Sequence, residues 1–225
     1  MSEDLSKYST EELIALARGV AENDDALSYK ATGQAIRRWR NGEELEVLVK
    51  LLESERSNDR ILGSYYLNEV SKKFHVLKTA ATELANDTLS ACRRAFVVYM
   101  TTSGYYDEEV AQPLAKCLLD LDLYVRVATI EWAIRSPQKV FQDFAKRVES
   151  GAGGLKPEFS DPLSNEFWNN SSQNRASRGL EIVRRFRSGE EIGLIRRSVV
   201  GEDSFTFDII EFSTQLVSAI QNGKR

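Results

Sequence analysis

Few side chains in this sequence could form or break a covalent bond. There is one histidine, His75, and there are two cysteines, Cys92 and Cys117. A Cys–His nucleophile would need His75 beside one of those thiols. Both cysteines fall on apolar helical patterns, where burial raises the thiol pKa and leaves the neutral form. They read as small buried hydrophobes with free thiols, a usage that fits a reducing compartment. No Cys or His pair has the spacing of a zinc site, and no carboxylate cluster replaces one. The glycine-rich run at 151–154 lacks the Lys–Ser/Thr that a phosphate-cradling loop requires. These residues predict no catalytic group, no metal and no cofactor. His75 reads as a capping or surface residue.

Recognition chemistry is better represented. Arg60, Arg93 and Arg126 are 33 residues apart. Six residues after each arginine stand Tyr66, Tyr99 and Trp132, and nine after stand Glu69, Thr102 and Arg135. By helical rotation the aromatic column lies beside the apolar one, at the edge of the core. It can pack between repeats, or it can form an exposed aromatic row. In the second case Tyr66, Glu69, Tyr99, Thr102, Glu131, Trp132 and Arg135 make a strip for a protein partner, with rigid rings for area and charges for register. A second feature is the arginine-rich stretch Arg175, Arg178, Arg184, Arg185, Arg187, Arg196 and Arg197, interrupted by Glu181, Glu190 and Glu191. It can pair with acidic repeat turns, or it can meet an acidic or phosphate-bearing partner.

The elements that position these groups follow from periodicity. Ser9 and Glu12 have capping-box spacing and predict a helix start. A second helix is expected over about 25–40, stopped at Asn41-Gly42. From Val47 to Arg135 one plan recurs: an apolar helix, a polar turn, then a second helix near the arginine. Gly63, Phe96 and Thr129, with Leu67, Met100 and Ala133, form its buried stripe. Ser54, Asp87 and Asp120 read as turn and cap formers. A fourth unit begins at Pro137 with Val140, Phe141, Phe144 and Val148. Residues 150–173 read as a long loop, partly packed through Phe159, Phe167 and Trp168. Helices are expected over about 173–187, 190–200 and from Asp203 or Ser204 to Asn222.

Internal periods of this length signal a helical repeat array. The units resemble HEAT-like repeats, and LLDLDLYVRVATIEWA is the closest to the pattern. The second unit has Cys92 before its arginine, and the first has Asp59 there and Gly63 at the small position. The resemblance spans about 42–149. It implies an all-α, right-handed HEAT-like α-solenoid: one domain, with capping helices over 1–42, repeats over 43–149, a loop over 150–173 and C-terminal helices over 174–225.

Net charge is −4 and the pI is near 5.3. No repeat carries a Lys/Arg stripe, which weighs against nucleic acid as the ligand. There is no signal-peptide h-region and no membrane-spanning apolar run, so a cytoplasmic protein is expected. HEAT-like arrays of this size include bacterial immunity proteins, which neutralise a cognate toxin by binding it. The resemblance implies such a non-catalytic module, with a protein partner that could be a basic toxin domain. The alternative it implies is an alkylpurine DNA glycosylase, with Trp39, Asp122, Arg126 and Trp132 imitating the family's base-holding set.

Overall fold

In a computed structural model, residues 4–19, 25–150, 165–191 and 194–195 are described. Among them the fold is all-α. The helices are α1 Thr10–Gly19, α2 Asp25–Asn41, α3 Leu45–Leu52, α4 Ser57–Glu69, α5 His75–Glu83, α6 Ser90–Thr102, α7 Glu108–Leu118, α8 Leu123–Arg135, α9 Gln138–Glu149 and α10 Asn165–Arg187. The expected helices over 190–200 and 204–222 lie almost wholly outside the described residues, as do Phe159, Arg196 and Arg197. Of the first of these, Glu190 and Glu191 are described and are not helical, and Leu194 and Ile195 are helical.

Local signals place the helix ends. The Ser9 amide donates to Glu12 Oε2 at 2.7 Å, and the Glu12 amide donates to Ser9 Oγ at 3.2 Å, a reciprocal capping box at the start of α1. Gly42, just beyond α2, has φ +83°, the left-handed conformation that ends a helix without a Cβ clash. One boundary differs from expectation. Helix α10 begins at Asn165, so the second part of the expected loop is helical. Its first turns, rich in Asn and Ser, look like loop because these side chains offer the backbone competing hydrogen bonds.

Neighbouring helices pack in order. α4 lies against α6, α6 against α8 and α8 against α10, while α3 packs on α5 and α7 on α9. The three key arginines therefore sit on three consecutive, mutually packed helices. The core between them contains both columns of the buried stripe, from Phe96 and Thr129 to Leu67, Met100 and Ala133.

Two kinds of hydrogen-bonded connection, each spanning 27 residues, join successive helix pairs. On one edge, Arg60 grips the carboxylate of Asp87, with Nε donating at 2.6 Å and Nη2 at 3.3 Å. Arg93 grips Asp120 in the same way, Nη2 donating at 2.9 Å. Each arginine also donates through Nη1 to the turn of its own repeat: Arg60 to the Ser54 and Glu55 carbonyls, Arg93 to those of Asp87 and Thr88, and Arg126 to those of Asp120 and Leu121. On the other edge, Tyr99 Oη donates to the Lys72 carbonyl at 3.0 Å and Trp132 Nε1 to the Tyr105 carbonyl at 2.9 Å. Asp87 and Asp120 thus do more than turn the chain. They accept from the amides of Leu89 and Asp122 and from the arginine of the preceding repeat. The N-caps are other residues: Arg56, Leu89 and Asp122.

Gly63 tests how closely the first repeat is packed. A Cβ there would lie 3.0 Å from Leu51 Cβ and 3.1 Å from the Leu52 amide nitrogen. Backbone cannot yield cheaply, so Gly63→Ala should destabilise by about 1–3 kcal/mol. Gly33, within α2, has nothing within 4 Å of its would-be Cβ. Gly33→Ala should stabilise by about 0.5–1 kcal/mol through helix propensity and unfolded-state entropy. Urea unfolding of both variants checks this, and shifts of the same sign would refute it.

Candidate functional site

The expected strip does not form as an exposed row. Tyr66, Tyr99 and Trp132 are 1%, 0% and 0% exposed. Tyr66 packs on Trp39 at 5.0 Å between centroids, Tyr99 on Tyr105 at 5.9 Å, and Trp132 on Phe144 at 5.6 Å. These rings belong to the joints between repeats. The reason is that each second helix is covered both by its own first helix and by the next repeat. The buried arc is therefore wider than a single apolar stripe. The polar members of the strip are occupied too. Glu69 accepts from Arg40 Nη2 at 2.9 Å, Glu131 pairs with Arg135 one turn on, and Thr102 Oγ1 donates back to the Val98 carbonyl at 2.9 Å.

The outer face of the second helices is built from a different register. One residue after each arginine come Ile61 and Arg94, five after come Tyr65 and Val98, and two before the third arginine comes Tyr124. Ile61, Tyr65 and Tyr124 are 43%, 53% and 44% exposed, and Leu121 in the adjoining turn is 42% exposed. Arg94 of α6 lies over the Tyr124 ring of α8, 5.1 Å from its centroid, which ties the two helices into one surface. At the α4 end an open cleft of ≈ 910 Å³ runs between α1 and α4, lined by Arg18, Arg56, Asp59, Ile61 and Tyr65. Arg18 spans it to Asp59 at 2.7 Å. At the other end the face stops: α10 packs on α8, and Val127, the third equivalent of Ile61, is buried. This register was open to sequence reading, since helical rotation from the buried stripe places Ile61 and Tyr65 outside it.

Both thiols lie away from that face. Cys92 and Cys117 are 0% and 1% exposed, and burial above all pushes each thiol up from its ordinary range. Neutral, enclosed thiols are poor nucleophiles. His75 is exposed at the first position of α5.

In the arginine-rich stretch, Arg184, Arg185 and Arg187 are used within the chain. Arg184 pairs with Glu149 at 2.6 Å and Arg185 pairs with Glu190. Arg187 donates through Nη1 to the carbonyls of Ala133, Ile134 and Ser136 at the end of α8. Its ring contact is Phe141, at 4.6 Å. Arg187 is thus a helix C-cap that fastens α10 to α8, and burial lowers its pKa.

The glycosylase-like set has no free rings: Trp39 and Trp132 are fully buried. Asp122 accepts the amides of Tyr124 and Val125 as the N-cap of α8, and Arg126 holds the turn before it. Among the described residues, no helix is long and apolar enough to cross a membrane. No protein-family model, curated protein or solved structure matches the chain.

Proposed function

We infer that this chain is a right-handed HEAT-like α-solenoid acting as a non-catalytic protein-binding module. Its most concrete form is an immunity protein that neutralises a cognate bacterial toxin by binding it. One observation carries the reading: Ile61, Tyr65 and Tyr124 are left exposed on the shared outer face of α4, α6 and α8, although the rings six residues after each arginine are buried. Helices stacked about 10 Å apart make this face a strip roughly 20 Å long, enough to seed an interface of ordinary size. Exposed tyrosines are efficient anchors there, since they bury much area for little conformational entropy.

The test uses the full chain and the products of its neighbouring genes, each expressed in a sensitive host. One product should arrest growth, and co-expression of this chain should restore it. Tyr65→Ala and Tyr124→Ala should each weaken binding, measured by calorimetry, by about 2 kcal/mol at a hot spot, with stability lowered by no more than about 1 kcal/mol for the lost Tyr66 and Arg94 ring contacts. Normal binding by the double variant, or no protein bound at all, refutes the assignment of the face.

A further inference from the structure

The charge on this face is opposite to the charge of the whole chain. On α4, α6 and α8 the acidic residues are Asp59, Glu69 and Glu131. Each is consumed within the chain, by Arg18, Arg40 and Arg135 respectively. The central helix, α6, carries no acidic residue. Arg56 and Arg94 are both exposed, and among the described residues neither forms an ion pair. They flank the apolar residues: Arg56 lines the cleft with Ile61 and Tyr65, beside the exposed carboxylate of Glu55, and Arg94 lies over Tyr124. On the first helices Glu46 of α3 and Glu83 of α5 are exposed, while Glu108 and Glu109 of α7 and Glu149 of α9 pair with Lys139, Lys78 and Arg184.

Resting on the protein-binding reading above, we propose that the α4–α6–α8 face takes an acidic segment of a partner protein, with apolar side chains set on Ile61, Tyr65 and Tyr124 and carboxylates meeting Arg56 and Arg94. Together α4, α6 and α8 carry five arginines and three carboxylates, against a net charge of −4 for the whole chain. Charge complementarity across an interface fixes register and speeds encounter, so the local sign outweighs the total. Nucleic acid fits this face less well. The three helices contain no lysine, and two exposed cations cannot track a phosphate backbone.

The experiment is random-peptide phage display against the full-length protein, followed by fluorescence anisotropy of the synthesised winners. Enriched peptides should carry Asp or Glu together with Phe, Leu or Tyr. Arg94→Glu and Arg56→Glu should each lower their affinity by about tenfold or more, with loss of binding at high salt. Both positions are solvent-exposed, and Arg94→Gln, which keeps bulk without reversing charge, should give a smaller loss. Basic peptides that lose binding in Tyr65→Ala or Tyr124→Ala would overturn the acidic partner while leaving the docking face intact. Peptides insensitive to all four positions, or no enrichment, would overturn both. Binding of a fluorescein-labelled oligothymidine that needs Arg94 would assign the face to nucleic acid. Dimerisation abolished by Tyr65→Ala would assign it to a second copy of the chain.

Discussion

Arg93→Ala should cost this protein about 3–5 kcal/mol, the range seen when one partner of a buried ion pair is removed. The Arg93 and Asp120 side chains are 11% and 7% exposed, so water cannot replace what is lost. The fork between them joins two repeats, and the same guanidinium closes the turn at Asp87 and Thr88. The Asp120 hydrogen bond is the main reason the Arg93 pKa is raised, so the charged form is held firmly. Truncation strands a carboxylate and two carbonyls at once. Arg93→Lys should recover part of the loss, because an ammonium restores the charge but cannot donate in a fork. In thermal unfolding a chain of this length shifts by about 2–4 °C per kcal/mol, so Arg93→Ala should melt roughly 10 °C early. A double-mutant cycle with Asp120→Ala should show strong coupling. Additive losses would mean that the pair is not the joint between these repeats.

Trp132→Ala should be about as damaging, at roughly 3–5 kcal/mol for emptying a fully buried aromatic site. The ring lies between Phe144 of α9 and Tyr106 of the turn before α7, with centroids 5.6 and 5.9 Å away, and its Nε1 holds the Tyr105 carbonyl. Trp132→Phe should keep part of the packing but leave a small cavity and strand the Tyr105 carbonyl, an intermediate cost of about 1–3 kcal/mol. Urea unfolding followed by circular dichroism measures both. Unchanged stability in Trp132→Ala, with binding lost, would return this ring to the exposed strip that the repeat spacing first suggested.

The contrast between Trp132 and Tyr65 shows which questions periodicity could answer. The equally spaced Arg60, Arg93 and Arg126 stand on α4, α6 and α8, which pack in that order, because residue spacing and helical rotation are properties of the chain itself. The capping box at Ser9–Glu12 and the stop at Gly42 were legible for the same reason: their partners lie a few residues away. The joints were only half legible. Arginine and aspartate columns were both visible, yet the acidic column reads as turn chemistry until a neighbouring repeat brings Asp87 to Arg60 and Asp120 to Arg93. Whether a residue at the core edge faces inward could not be read from rotation at all. That depends on how many neighbours cover a helix, and stacking on both sides took Tyr66, Tyr99 and Trp132 into the core while Ile61, Tyr65 and Tyr124 stayed outside. Local sequence thus decided which residues are alike, and packing between repeats decided which of them meet water.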